Sequence, residues 1–287
     1  MFDTIIIGNG PAGISAAIYL KRFNYNPLVI AKDNGALGKS SYIDNYYGIP
    51  HIKGTDLVDA GIAQAKSLGI EVLEEEVISI DYGAKGYTVN TKENHYDGLT
   101  VFLATGKARN SLILKGLNEY EGKGVSYCAI CDGFFFRNKK LAVIGEGDFM
   151  QNELETLLKF TKDITVFTNG QTTNSDYENI VTDKLVEIIG DNEHVTAIKT
   201  DKNEYDVDGI FIAYGSANAV SFAKHMGLVT DSQNNLIVKD FQTNIKGIFA
   251  GGDVIGGLLQ VSKAVSDGAN AAIEIKKYLT SLSKATK

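Results

Sequence analysis

The hexapeptide Gly8-Asn9-Gly10-Pro11-Ala12-Gly13 constrains this chain more than any other stretch. It follows a short β-branched run at residues 4–7, which reads as a buried strand. It opens residues 14–23, whose apolar side chains recur at helical spacing. Residues 27–30 are the next apolar run, so the chain begins with a strand–helix–strand unit, the start of a doubly wound sheet. Gly8 allows the tight turn, Gly10 lets backbone approach a ligand, and Gly13 lets helix and strand pack closely. The helix start then offers free N–H groups and the positive end of its dipole, which suits a pyrophosphate. Glycine turns are common, but the flanking strand and helix are the context that a dinucleotide fingerprint requires. Gly8, Gly10, Pro11, Ala12 and Gly13 are its candidate binding residues.

Further along, residues 56–68 fit a helix, and 71–80, 87–91 and 99–104 fit strands. A second cycle follows: a strand at 141–144, a turn at 145–147, a helix at 149–160 and a strand at 164–167. Residues 169–177 form a polar stretch suited to a surface loop. The last third returns to the first theme, with strands at 209–213 and 247–249 and helical spacing over 258–279. The expected fold class is α/β with two Rossmann-like units.

Composition narrows the function classes. With 44% hydrophobic and 22% charged residues, the chain is globular rather than disordered. No apolar run approaches the ~20 residues of a membrane span. The start has no basic, signal-like segment, so the expected location is cytoplasmic. A net charge of −7 argues against a general nucleic-acid binder. There are two cysteines, Cys128 and Cys131, too few for a secreted disulfide framework. The four histidines are scattered and none lies near the pair, so no metal site is expected. A lone Cys-x-x-Cys in such a chain reads as a redox dithiol, with Asp132 placed to move the accompanying proton. Two buried, inert cysteines are the bland alternative.

Two smaller motifs end apolar strands: Ala104-Thr105-Gly106, and Gly247-Ile248-Phe249-Ala250-Gly251-Gly252-Asp253. Asp253 suits a ribityl hydroxyl, or equally a helix cap. In this order the four motifs resemble the low-molecular-weight thioredoxin reductase family, over nearly the whole chain. The run Gly124-Val125-Ser126-Tyr127-Cys128-Ala129-Ile130-Cys131-Asp132-Gly133-Phe134-Phe135-Phe136-Arg137-Asn138 is close to that family's active-site segment.

The resemblance implies bound FAD, held by the first glycine loop, Asn45, Val77, the Ala104-Thr105-Gly106 turn, Gly252, Asp253, Gln260 and Val261, with Lys32 beside them. The family's arginine before the glutamine is absent, because Leu259 precedes Gln260. The resemblance further implies an FAD-binding domain of residues 1–111 plus 215–287, an inserted dithiol domain of 112–214 that turns on hinges near 109–112 and 215–218, and a homodimer.

The second glycine loop departs from the family. It reads Gly145-Glu146-Gly147-Asp148-Phe149-Met150, with two carboxylates where a pyrophosphate would lie and Met150 where a small residue would permit close packing. Residues 164–183 contain no lysine or arginine for a 2′-phosphate, and 169–175 no acid for an NAD ribose. The chain thus looks like the ferredoxin-dependent flavin thioredoxin reductase branch. That implies electron flow from ferredoxin through FAD and Cys128–Cys131 to thioredoxin, with Cys131 nearer the flavin. Three alternatives stay open: an FAD-dependent dithiol oxidase using O₂, an NAD(P)H-dependent reductase with an unusual nucleotide site, and a non-catalytic flavin-holding sensor. An acidic ferredoxin would need a local basic patch, for which Lys32, Lys39, Lys107, Arg109 and Lys263 are candidates.

Overall fold

The computed structural model describes residues 1–106, 112–215 and 219–285, with backbone alone at Cys131, Ala219, Val220, Ser221, Lys224 and Ala285. The chain divides into two compact units, Met1–Ala108 with Asn218–Lys287, and Arg109–Ala217. The first unit opens with β1 (Phe2–Ile7), α1 (Pro11–Arg22), β2 (Pro27–Ala31), α2 (Gly54–Ser67) and β3 (Glu71–Glu74). Parallel pairing runs through Ile5↔Leu28 and Leu28↔Glu71. Thr4–Ile7 of β1 and all of β2 are buried, which is why β1 ends in three isoleucines and β2 is apolar throughout.

The single strand expected over residues 71–80 is two, β3 and β4 (Val77–Gly83). Glu75 and Glu76 break it. The Glu75 carboxylate accepts from the Thr91 and Tyr96 hydroxyls, at 2.6 and 2.7 Å. Glu76 pairs with Lys32 at 2.8 Å. β5 (Gly86–Thr91) and β6 (His95–Leu103) follow. The first part of β6, to Gly98, runs antiparallel to β5, while Gly98 to Leu103 runs parallel to β1. A buried Thr4–Thr100 hydroxyl contact of 2.9 Å links β1 and β6.

The second unit comprises β7 (Val125–Ser126), α3 (Ala129–Asp132), β8 (Leu141–Gly145), α4 (Asp148–Leu157), β9 (Ile164–Phe167), β10 (Ile180–Val181), β11 (Leu185–Gly190), β12 (Val195–Thr200), β13 (Glu204–Asp206) and β14 (Gly209–Ala213). Its parallel sheet has the order β10-β9-β8-β14-β7. β14, which falls within the 112–214 expected for the inserted domain, is paired to β8 through Ile210↔Ala142. β11, β12 and β13 form a separate antiparallel sheet that the sequence reading missed. Its first hairpin turns at Asp191, whose carboxylate accepts from the Glu193 and His194 N–H groups, with Asn192 at φ 77°.

The chain then returns to the first unit with α5 (Ala219–Met226), β15 (Ile248–Ala250) and α6 (Val261–Ala285). β15 lies parallel to β6 through Phe249↔Phe102. α6 begins after the expected residue 258 because Gln260 N–H closes a turn onto Leu258 O. It packs on α1 through small residues: a Cβ at Gly268 would stand 2.1 Å from Ala12 O. Ala16, Ala17, Ala271 and Ala272 are fully buried in the same core. Among the described residues no helix is long and apolar enough to cross a membrane.

Candidate functional site

In the first unit, the carboxyl ends of β1, β2, β3, β6 and β15 share one edge of the sheet, as the pairs Ile7↔Leu103, Ala31↔Glu74 and Ala250↔Leu103 show. Gly8, Lys32, Ala104 and Gly251 each follow the end of one of these strands. Open α/β sheets hold ligands at this edge. Gly8 has φ +115°, and a Cβ there would lie 2.3 Å from Ala104 O. A Cβ at Gly13 would lie 1.9 Å from Gly8 O, so both glycines are steric requirements of the turn. A Cβ at Gly10 would meet nothing within 4 Å, and Gly10 is the N-cap of α1 with Pro11 next. The loop is therefore closed on its protein side and open on its ligand side.

The second turn lies beside the first, with Ala104 N–H donating to Ile7 O at 2.9 Å. Thr105 Oγ1 is buried and has no partner among the described residues, and the same holds for Glu76 Oε1 beside Val77. A buried unsatisfied polar atom costs about 1–3 kcal/mol, so these oxygens fit a ligand that meets them. Open space over Gly10 and an orphaned hydroxyl at Thr105 suit a dinucleotide cofactor.

The third element, Gly251–Asp253, is clamped by residues the sequence reading passed over or misassigned. Gly252, at φ +81°, donates its N–H to Asp267 Oδ2 at 2.9 Å. Lys263 Nζ donates to Gly252 O and Gly256 O, at 2.8 and 2.7 Å, and pairs with Asp267 at 2.8 Å. Lys263 is therefore an internal clamp and not the docking cation expected of it, since its three donor directions are occupied. The i,i+4 Lys–Asp spacing on a helix was the available signal. Asn45 Nδ2 donates to Gln260 Oε1 at 2.9 Å, which joins two candidates 215 residues apart. Val261 is the first residue of α6, and Asp253 lies in the 3₁₀ turn Gly252–Ile255. Next to Asn45, His51 Nδ1 lies 2.6 Å from Asp44 Oδ1, and the His51 ring stacks on Tyr42 at 4.1 Å.

In the second unit, Cys128 is buried and disulfide-bonded, and Cys131 is the only other cysteine of the chain. The Cys131 side chain lies outside the described residues. Cys128 N–H donates to Ser126 Oγ at 3.1 Å, and the Ser126 hydroxyl donates to Asp132 Oδ2 at 2.7 Å. Asp132 is thus held within the Cys128 turn, through a serine the sequence reading did not single out. Ala129 N–H donates to Glu153 Oε2 at 2.6 Å. Burial, and then Glu121, push the neighbouring Tyr127 hydroxyl well above its ordinary range. Ile130, Phe134 and Phe135 are exposed around this turn.

The second glycine loop corrects one expectation. Met150 does not prevent close packing of strand and helix. It is fully buried, and a Cβ at Gly145 would lie 2.7 Å from Met150 Cβ and 2.2 Å from Ala213 O. The glycine at 145 makes the room that a small residue at 150 would have made. Glu146 Oε2 accepts from Gly215 N–H at 3.3 Å, so this carboxylate stands at the carboxyl end of β14. The loop after β9 is tied down by Ser175 Oγ donating to Gln151 Oε1 at 2.8 Å and by Asn169 Oδ1 accepting from Leu185 N–H at 2.9 Å. Of the other docking candidates, Lys32 is paired to Glu76 and Lys39 is exposed. Lys107, Arg109 and the hinge residues 109–111 and 216–218 lie outside the described residues.

Residues 2–268 match the family described as pyridine nucleotide-disulphide oxidoreductase. A thioredoxin reductase of Listeria innocua is 32% identical over 309 residues, spanning 99% of this chain and 96% of its own. The crystal structure of the atypical thioredoxin reductase TRi from Desulfovibrio vulgaris Hildenborough matches with a TM-score of 0.91 at 32% identity, over 98% of this chain and 99% of that one. A ferredoxin-flavin thioredoxin reductase from Clostridium acetobutylicum matches with a TM-score of 0.77 at 27% identity, over 98% of each chain. The glycine cradle with its orphaned hydroxyl, the disulfide on its short helix and these likenesses agree, and the chain belongs to the pyridine nucleotide-disulphide oxidoreductase family as an FAD-dependent, thioredoxin reductase-type oxidoreductase acting on disulfides.

Proposed function

We propose that this chain reduces a thioredoxin-type disulfide through Cys128 and Cys131, with electrons drawn from reduced ferredoxin rather than from a pyridine nucleotide. FAD would be held by Gly8, Gly10, Pro11, Ala12 and Gly13, by Asn45, Val77 and Ala104-Thr105-Gly106, and by Gly252, Asp253, Gln260 and Val261, with Lys32 at the margin. Bound FAD supplies a centre that exchanges electrons singly or in pairs, which suits a one-electron donor. In the exchange step, a thiolate of the reduced Cys128–Cys131 pair attacks the partner's disulfide. The second cysteine then breaks the mixed disulfide, re-forming the chain's S–S bond and leaving the partner as a dithiol. Asp132, which accepts from the Ser126 hydroxyl, would hold the proton that accompanies these steps. The chain acts as a homodimer in this reading.

The observation that carries the proposal is the second glycine loop. Glu146 occupies the strand end, Asp148 opens α4, and no cation lies between residues 164 and 183. Negative charge at a helix start opposes a pyrophosphate. The likeness to the Clostridium acetobutylicum protein supports the donor. A plant-type ferredoxin near −400 mV lies roughly 130 mV below thioredoxin, about 6 kcal/mol downhill for two electrons. A second reading, an NAD(P)H-dependent reductase with an unusual nucleotide site, is favoured by the close strand–helix approach that survives at Gly145. Anaerobic titration of the flavoprotein decides between them. Bleaching of the flavin absorbance by reduced ferredoxin, and not by NADPH or NADH, is expected. Stoichiometric bleaching by NADPH overturns the proposal, and O₂ uptake with small dithiols in place of ferredoxin turnover points to the oxidase.

A further inference from the structure

The peptide N–H groups on either side of the Cys128 Cα, its own and that of Ala129, are both committed to other acceptors. The Cys128 N–H donates to Ser126 Oγ, whose hydroxyl donates to Asp132. The Ala129 N–H donates to Glu153 Oε2 at 2.6 Å. Glu153 is 6% exposed and comes from α4, which packs against α3. A thiolate gains from nearby N–H donors and loses from nearby negative charge. Here one donor ends on a carboxylate directly, and the other ends on one through a hydroxyl. The titratable groups of this turn and its neighbour are Tyr127, Cys131, Asp132 and Arg137 on its own segment, and Asp148, Glu153 and Glu155 on α4. Arg137 stands over the Phe134 ring at 5.1 Å, and Glu155 is exposed.

We propose that Glu153 is a positioning residue for the disulfide centre: it takes the Ala129 N–H and holds a carboxylate beside Cys128, so that the Cys128 thiolate is disfavoured and the dithiol is kept strongly reducing. The direction follows from the redox couple. Dithiol centres become oxidising when their reduced, ionised form is stabilised, and reducing when it is not. The proposal deepens the reading of Cys128–Cys131 as the reactive pair. Its assay reads the Cys128 thiol itself, so the outcome does not depend on which donor loads the chain.

The test uses the FAD-loaded full chain, wild type, Glu153→Gln and Glu153→Ala. The chain is reduced anaerobically, and the pH dependence of Cys128 alkylation is followed by mass spectrometry. Equilibration with dithiothreitol at pH 9 gives the second readout. In that exchange the chain's S–S bond breaks, two thiols form, and dithiothreitol closes to its cyclic disulfide, so electrons and protons balance. Glu153→Gln keeps an acceptor for the Ala129 N–H and removes the charge. The Cys128 thiolate fraction at neutral pH is expected to rise about tenfold, and the exchange constant to move up to tenfold toward the reduced chain, about 30 mV for two electrons. Glu153→Ala, which also frees the N–H, is expected to shift both further. A Glu153→Gln variant within about twofold of wild type in both readouts overturns the proposal, and it decides the question alone if Glu153→Ala does not fold. A purely structural role would lower the melting temperature and leave both readouts in place.

Discussion

A few side chains fix the cofactor edge, and they separate into those that meet the ligand and those that hold the turn. Asp253 belongs to the first group in the proposed reading. Asp253→Ala removes a charged hydrogen bond worth roughly 1.5–3 kcal/mol, so FAD affinity measured by flavin fluorescence should fall about 10- to 100-fold with the fold intact. Lys263 belongs to the second. Lys263→Met leaves Asp267, which is 8% exposed, without its cation and frees two carbonyls of the Gly252–Gly256 turn. That variant should lose about 1–3 kcal/mol of stability in urea unfolding as well as flavin. Equal flavin retention in the two variants and wild type would remove this edge from the cofactor site.

At the level of elements, a polar contact from His225 Nε2 to Asp81 Oδ1 at 3.2 Å ties α5 to β4. The hydrogen bond from His225 holds the Asp81 carboxyl below its ordinary 3.8, against the opposing effect of burial, with His225 charge and bonds from Ser79 and Asn90 assisting. A carboxyl lowered on folding contributes stability above its unfolded value, and that contribution is lost as pH falls through the folded value. Asp81 is 42% exposed in its side chain, so screening limits the contribution to about 1 kcal/mol or less. His225→Leu should therefore cost up to about 1 kcal/mol at pH 7 in urea unfolding, and the gap to wild type should close below pH about 3.8. A gap that persists well below pH 3.8, where the Asp81 carboxyl has taken up its proton, would contradict this account.

For the whole molecule, net charge and local charge pull in opposite directions. In the proposed reading, a chain of net charge −7 would repel an acidic ferredoxin on average, so productive encounter would depend on cations near the contact. With Lys263 engaged in its clamp and Lys32 paired to Glu76, exposed Lys39 is the remaining described candidate. Ferredoxin-driven turnover should fall with added salt through the association rate. Lys39→Glu combined with Lys107→Glu should slow it further and leave dithionite-driven disulfide reduction unchanged. A flat salt profile, or equal loss of both activities, would remove the basic patch from the donor reading.

The sequence by itself determined the α/β class and the opening strand–glycine–helix turn, because those depend on local rules. Residues 4–7 are β-branched, Gly8 must take a positive φ, and Gly13 must lie against Gly8 O. It also singled out the dithiol segment, since two cysteines at this spacing have few other readings. Tertiary structure decided what depends on partners distant in the chain. The break at Glu75–Glu76 exists because Thr91, Tyr96 and Lys32 arrive from other strands and loops to bond those carboxylates. Met150 fits because Gly145 yields space across the strand–helix contact. β14 belongs to the second sheet because it pairs with β8, some 68 residues earlier, which no local pattern encodes. The carboxylates of Glu153 and Asp267 look like ordinary polar residues of helices until the folded chain buries each against a backbone N–H, at Ala129 and Gly252. Periodicity reports which face of an element is buried, but not which group from elsewhere meets it there.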